Sequence, residues 1–153
     1  MNSRNQTVDD SRAVVLGVDI GGTNTKFGFV DRAGKCLASS SMPTDANQPA
    51  AMFFHRLHRD SNLLFGALKA DYELAGIGIG APNANYHKGT IEHPPNLGWD
   101  FVDVRAELAN FFSIPSAVTN DANAAALGEM LFGAARGMKD FIVITLGTGL
   151  GSG

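Results

Sequence analysis

The first part of the chain carries apolar and polar residues in the pattern of β-strands. An apolar, β-branched run at 13–19 ends in a carboxylate, and an alternating segment at 26–30 follows a glycine-rich turn. A second turn at 31–34 precedes a third predicted strand at 35–41. Because successive strands joined by short turns pair with each other, this pattern predicts an antiparallel meander.

The period of the apolar residues changes after residue 49. Apolar side chains at 53, 57, 64 and 68 predict an amphipathic helix over about 50–69. Residues 82–100 contain three prolines and predict a long loop with one short strand near 90–91. The rest of the pattern predicts a buried strand at 74–81, a helix at 103–112 capped near Asp103, a strand at 116–119, a helix at about 121–132 and a buried strand at 141–146.

A meander followed by alternating helices and strands indicates an α/β fold with a mixed sheet flanked by helices. The predicted organisation is a polar, flexible tail at 1–12 and one domain at 13–153. Eighteen glycines in 153 residues exceed the usual level of roughly 7%. The chain stops inside a glycine cluster at 147–153, directly after an apolar segment, so we expect it to be the N-terminal portion of a longer protein.

Composition excludes several classes of protein. The chain is 44% hydrophobic and 18% charged, which suits a globular domain with a core. Its net charge of −3 predicts no nucleic-acid partner. No apolar run reaches the length of about 18 residues that a membrane span needs, and the first twelve residues lack a signal peptide. One cysteine, Cys36, excludes an internal disulfide framework, and we expect a cytoplasmic protein without a membrane partner.

The first glycine-rich turn has the residues of an anion site. Glycines let backbone N–H groups approach a phosphate, and Thr23 and Thr25 add hydroxyl donors. Asp19 would repel phosphate directly, so its predicted use is to hold a hydrated Mg²⁺ beside the phosphates. The alternative is an ordinary glycine-rich hairpin. The predicted phosphate-binding residues of this turn are Asp19, Gly21, Gly22, Thr23, Asn24 and Lys26.

A second glycine-rich segment also follows an apolar strand. It is not a P-loop, because it lacks Gly-Lys-Ser/Thr at the required spacing. Two glycine–threonine turns that each follow a strand suggest two sides of one phosphate site. The predicted phosphate-binding residues here are Gly147, Thr148, Gly149 and Gly151.

The segment between the two turns supplies a candidate base. Asp121 lies at the start of a predicted helix, where the helix dipole favours the ionised carboxylate. It is suited to accept a proton from an attacking hydroxyl in phosphoryl transfer, although it could instead serve only as a helix cap. Asn120 and Asn96 are candidate sugar ligands, and Asp121 would also contact the sugar. The alternative for the loop is that Trp99 is a core anchor and Asn96 a turn residue.

In order and spacing, five segments resemble the ROK family, whose name stands for repressor, open reading frame and kinase. The resemblance covers nearly everything from residue 14 to the end. It implies an actin-like, RNase H-like ATPase fold of two domains, with ATP and Mg²⁺ as cofactors and the C6 hydroxyl of a hexose as acceptor. It implies Asp121 as the catalytic base and Asn96 and Asn120 on the sugar. The segments are Asp19–Lys26, Pro95–Trp99, Asn120–Glu129, Gly133–Gly137 and Leu146–Gly153.

The resemblance also indicates what this chain lacks. The zinc motif, the adenosine-binding region and further sugar ligands of the family would lie after the second glycine segment. We therefore expect no zinc site here, and little or no activity from this chain alone, because misplaced substrates react slowly. The expected function is a glucokinase-like kinase that acts on a hexose, most simply glucose, with a homodimer allowed. The alternatives are a sugar-responsive repressor and a non-catalytic sugar-binding protein. A repressor of this family carries a DNA-binding domain before the first strand, and the dozen or so residues there are expected to be too few for one.

Overall fold

The structure, a computed structural model, describes residues 11–146 and 150–153. Ten strands and three helices follow one another within this part of the chain. In chain order they are β1 (Ala13–Ile20), β2 (Asn24–Asp31), β3 (Cys36–Pro43), α1 (Ala50–Phe65), β4 (Glu73–Ala81), β5 (Ala84–Asn85), β6 (Thr90–Glu92), β7 (Phe101–Asp103), α2 (Val104–Ala109), β8 (Ser116–Asn120), α3 (Asp121–Phe132), β9 (Ile144–Leu146) and β10 (Leu150–Ser152).

Five of the strands form a mixed sheet in the order β3-β2-β1-β4-β8. The first three strands are antiparallel neighbours, which confirms the predicted meander. Strands β4 and β8 then extend the sheet in parallel with β1. The predicted α/β class with a mixed sheet is therefore confirmed.

The core lies between one face of this sheet and helices α1 and α2. Along β1 the side chains alternate, so that Val14, Leu16, Val18 and Ile20 are buried while Val15 on the opposite face is 42% exposed. The helical contribution to the core comes from Phe53, Phe54, Leu57, Val104 and Leu108. The apolar spacing that predicted the first helix is therefore the spacing that covers the sheet.

Helix α1 is shorter than predicted. It ends at Phe65 rather than at residue 69, with Gly66 as its C-cap. Glycine is a poor helix former, and the chain beyond it continues in turns, with the N–H of Tyr72 donating to the carbonyl of Leu68 at 2.9 Å. Arg12 binds the carbonyl of Asp71 at 2.9 Å and draws the chain toward the start of β4.

Helix α2 is also shorter than the predicted 103–112. It spans Val104–Ala109, and the residues after Asn110 form a turn in which the N–H of Phe112 still donates to the carbonyl of Leu108. Its predicted cap is confirmed, because the Asp103 carboxylate accepts a hydrogen bond from the Ala106 N–H at 2.9 Å.

Residues 82–100 contain more structure than a long loop. The predicted strand near 90–91 is confirmed as β6, which lies between β5 and β7 in a small antiparallel sheet. Both neighbours are only two or three residues long, too short to leave a clear alternation in the sequence.

The predicted buried strand at 141–146 is wrong in length and in burial. Only Ile144–Leu146 is extended as β9, and among the described residues it pairs with β10 alone. Ile144 is 63% exposed and Leu146 84% exposed. Because β9 stands outside the five-stranded sheet, no second layer of the described structure covers its apolar side chains.

No helix within the described ranges has both the length and the apolar character needed to cross a membrane.

Candidate functional site

Three of the predicted chemical residues, Asp19, Lys26 and Asp121, lie at one edge of the main sheet. Strands β1, β4 and β8 run parallel, so their carboxyl ends meet at the same edge. Asp19, near the end of β1, is paired in register with Gly80 of β4 and with Lys26 of β2. Gly80 is paired in turn with Thr119 of β8, two residues before helix α3 begins at Asp121.

Gly80 allows the start of α3 to lie close against this edge. A β-carbon at position 80 would be 3.4 Å from the Cα of Asp121 and 3.3 Å from the Cβ of Ala124. A side chain there would require the helix to move. The absence of a side chain at position 80 lets Asp121 lie close to β4, whereas a β-carbon on Gly78 would have no neighbour within 4 Å.

The two carboxylates interact electrostatically. Partial burial of Asp19 removes water from its carboxylate and is the largest cause of its raised pKa. Repulsion from Asp121 raises this pKa further, and attraction to Lys26 partly opposes the rise. Asp19 nevertheless keeps contact with solvent, because the cleft is open. A carboxylate that lies in the field of a second one forms a place where a cation, or a proton in transit, is stabilised.

Asn120, rather than Asp121, is the N-cap of helix α3. Its side-chain oxygen accepts hydrogen bonds from the N–H groups of Ala122 at 3.0 Å and Asn123 at 3.4 Å. Among the described residues, the Asp121 carboxylate accepts a hydrogen bond from the adjacent Ala122 N–H alone, at 2.9 Å. Asn120 therefore supplies the N-cap, and the role of Asp121 as the base stays a prediction.

An open cleft of about 1420 Å³ lies against this edge and the adjoining sheet face. It brings together three of the predicted residues, Asp19, Lys26 and Asp121. Its lining also includes polar residues to which the sequence analysis gave no role, among them Thr119, Asn123 and Thr145. The sequence did carry one indication for Thr119, since strand alternation places it on the same face as Ala117. The structure shows that this face lines the cleft.

The first glycine-rich turn joins Asp19 to Lys26, which line the cleft, but none of residues 20–25 is itself among the lining residues. The turn is packed tightly. The N–H of Gly21 donates to the carbonyl of Asn24 at 3.2 Å, and a β-carbon on Gly21 would be 2.7 Å from that oxygen. Thr23 and Asn24 are exposed, as a ligand would require. The prediction for Thr25 is wrong. Its side chain is fully buried on the core face of β2, so its hydroxyl cannot reach a phosphate.

Asn96 lies directly against this turn. A β-carbon on Gly22 would be 2.9 Å from both the Cβ and the carbonyl oxygen of Asn96. The Asn96 side chain is itself exposed. One predicted sugar ligand and one predicted phosphate-binding glycine are therefore neighbours, although Asn96 and Asn120 are not among the described residues that line the large cleft.

Trp99 anchors the loop that carries Asn96. It is 7% exposed, its ring lies 5.2 Å from that of Phe53, and its indole N–H donates to the carbonyl of Gln48 at 3.0 Å. The N–H of Gly98 donates to the carbonyl of Ala46 at 3.1 Å. The interpretation of Trp99 as a core anchor is therefore confirmed. Its buried ring fixes the loop against the core.

The second glycine segment is only partly described. Gly147, Thr148 and Gly149 lie outside the described residues, so their predicted role stays a prediction. Gly151 belongs to β10, and a β-carbon there would be 2.5 Å from the hydroxyl of Thr145 and 3.3 Å from the Cβ of Ala122. The hairpin of β9 and β10 therefore packs against the same helix start that carries Asp121.

The described residues contain no group of three or more histidine, cysteine or acidic side chains that could hold a metal ion directly. The carboxylates of Asp19 and Asp121 suit instead a cation that keeps most of its water ligands, as Mg²⁺ does.

Comparison with known proteins places this arrangement among sugar kinases and their relatives. Residues 15–153 match the sequence profile of the ROK family. The chain is 39% identical over 140 residues to a glucokinase from Halalkalibacterium halodurans, an alignment that covers 90% of this chain and 42% of that protein. It is 26% identical over 138 residues to the xylose repressor of Bacillus subtilis, covering 90% of this chain and 36% of the repressor.

A solved structure agrees with these relatives. The ROK family glucokinase from Streptomyces griseus, in complex with glucose and AMPPNP, superposes with a TM-score of 0.78 at 34% identity. The superposition covers 91% of this chain and 43% of the glucokinase. The chain thus spans less than half the length of the relatives that it matches.

Proposed function

Since this chain belongs to the ROK family, we propose that it forms the part of an ATP-dependent sugar kinase that carries the catalytic base and one side of the phosphate site. Its actin-like ATPase fold is that of its structural relatives. The observation that carries the proposal is the placement of Asp19 and Asp121 in one cleft, where partial burial and repulsion from Asp121 raise the pKa of Asp19.

The proposed reaction transfers the γ-phosphoryl group of ATP to the C6 hydroxyl of a hexose. Asp121 accepts the proton of that hydroxyl while the oxygen bonds to the γ-phosphorus, and ADP leaves with the electrons of the broken bond. Asp19 would hold a hydrated Mg²⁺, which supplies charge neutralisation at the phosphates when bound. Lys26, opposite Asp19 in the sheet, adds a positive charge at the same place.

Glucose is the proposed acceptor. The Halalkalibacterium relative is a glucokinase, and the Streptomyces griseus structure contains glucose together with an ATP analogue. Asn96, exposed beside the first glycine turn, is the proposed sugar ligand of the loop. The amide nitrogen of Asn120 is a further proposed sugar contact, since its side-chain oxygen is engaged in the helix cap.

The test is sugar-dependent ADP release by the full-length protein, measured with a panel of hexoses and acetylated hexosamines. We expect turnover with glucose, and its loss in Asp121→Asn while glucose still binds. Asp103→Asn is the matched control, because it makes the same change at another helix start, where asparagine can still cap. The 153-residue chain alone should be inactive or nearly so. Turnover undiminished in Asp121→Asn would refute the assignment of the base.

A second function is favoured by one observation, the similarity to the xylose repressor of Bacillus subtilis. A sugar-responsive regulator would bind a sugar without turning it over. If one sugar of the panel bound to the parent protein and none gave ADP, this second function would replace the first.

A further inference from the structure

A buried pair of hydroxyls lies behind the first glycine turn, on the side opposite to solvent. Thr25 and Thr44 are both completely buried, and their hydroxyl oxygens are 2.9 Å apart. A hydroxyl in an apolar core is costly unless it is hydrogen-bonded. The kinase proposed above gives these two residues no part in the reaction, so their partners require an explanation.

Thr44 donates two hydrogen bonds to the glycine turn. Its hydroxyl donates to the carbonyl of Gly21 at 2.6 Å, and its backbone N–H donates to the carbonyl of Thr23 at 2.9 Å. Because the single hydroxyl hydrogen of Thr44 is used on Gly21, Thr25 must be the donor in the bond between the two threonines. The chain of bonds therefore runs from Thr25 through Thr44 to the turn.

Thr44 is in turn fixed from behind by helix α1. A guanidinium nitrogen of Arg56 donates to the carbonyl of Thr44 at 2.8 Å and also lies 3.3 Å from the Asp45 carboxylate. The residue is thus held by the helix on one side while it holds the turn on the other.

The Thr44 hydroxyl determines the direction of a peptide group. In a trans peptide the carbonyl and the following N–H point in opposite directions. Since the Gly21 carbonyl points at Thr44, the N–H of Gly22 points away from it. An N–H that is aimed in advance binds an anion at a lower entropic cost than one that must be ordered on binding.

We propose that Thr44 is a positioning residue for the phosphate site: through its bond to the Gly21 carbonyl it orients the Gly22 N–H toward the nucleotide. This inference rests on the proposed kinase function, because it takes the turn to be a phosphate site. Thr44 itself touches no substrate, and Thr25 supports it without reaching the turn.

The discriminating variants are Thr44→Val and Thr25→Val. Both replace a buried threonine by valine of nearly the same shape, and both should lower thermal stability. Only Thr44→Val removes the bond to Gly21. We expect it to weaken binding of AMPPNP to the full-length protein by about two- to tenfold, as loss of one hydrogen bond implies, with Thr25→Val within about twofold of the parent. Thr44→Ser, which keeps the hydroxyl, should restore parental affinity.

A second measurement does not depend on nucleotide. The NMR order parameter of the Gly22 amide should be that of rigid backbone, about 0.85, in the parent and in Thr25→Val, and should fall toward about 0.6 in Thr44→Val. Thr44→Ala takes its place in both measurements if Thr44→Val does not fold. An unchanged order parameter at Gly22 would overturn the inference. Failure of the parent to bind AMPPNP would instead refute the kinase proposal, and the Gly22 measurement would still decide the role of Thr44 in the turn.

Discussion

Gly80 lies directly beside Asp121 at the start of helix α3, since a β-carbon at position 80 would be 3.4 Å from the Asp121 Cα. Gly80→Ala should push the helix start away by a few tenths of an ångström. We expect a loss of about 1 kcal/mol in the free energy of unfolding and a decrease in kcat of severalfold or more, because small displacements of a reacting group are costly.

Gly78→Ala is the matched control for that prediction. Gly78 lies two residues earlier on the same strand and face, and a β-carbon there would meet nothing within 4 Å. Thermal unfolding and kcat of the two variants, measured side by side, test whether the close contact at Gly80 is required. Equal effects of both substitutions would show that close contact at Gly80 is unimportant.

The pKa of Asp19 predicts a pH dependence of stability. Because partial desolvation and then Asp121 raise this pKa above its ordinary value of 3.8, the folded state holds the Asp19 proton more tightly than the unfolded state does. The contribution of Asp19 to stability is therefore lost as the pH rises from near 3.8 through the higher folded-state pKa. We expect Asp19→Asn to be more stable than the parent at neutral pH and to lose that advantage in acid.

Urea unfolding of both proteins between pH 3 and pH 7 measures this difference. Asp31→Asn, at the end of β2 in the same sheet, is a control for removal of one carboxylate away from Asp121. A parent that is the more stable of the two at neutral pH would contradict the prediction.

The cap at Asn120 can be separated from its proposed contact with sugar. Asn120→Ala removes both and should cost about 1 kcal/mol of stability. Asn120→Ser keeps a capping oxygen but lacks the amide nitrogen, so it should retain most of the stability. If the amide binds sugar, glucose affinity measured by calorimetry should fall in both variants. If it does not, glucose affinity should stay unchanged, and only the stability of Asn120→Ala should fall.

The contact between Gly22 and Asn96 predicts a coupled effect. Gly22→Ala would place a β-carbon 2.9 Å from the backbone oxygen of Asn96, so the turn and the loop must separate. We expect the KM values for both ATP and sugar to rise by several-fold. Gly17→Ala is the control, because its nearest neighbour would be 3.8 Å away. A rise in only one of the two KM values would mean that the turn and the loop act independently.

Local chemistry made much of the fold predictable. Strand alternation identified β1 to β3 and their pairing, and the spacing of Phe53 and Leu57 identified the core face of α1. Element ends were less accurate: helix α1 ends at Phe65 with Gly66 as its C-cap, because a helix end is set by single residues that the apolar spacing does not register.

Sequence patterns alone predicted which residues are candidates for chemistry: a carboxylate at the end of a strand, glycines in a turn and a second carboxylate at a helix start. The packing of the sheet and its helices was needed to show that Asp19 and Asp121 share one cleft, that Asn120 supplies the cap, and that Thr25 faces the core. The difference arises from how far along the chain each effect acts. Propensity and turn chemistry act over a few residues, whereas strand order and burial depend on how the whole sheet packs, and so decide which distant side chains meet.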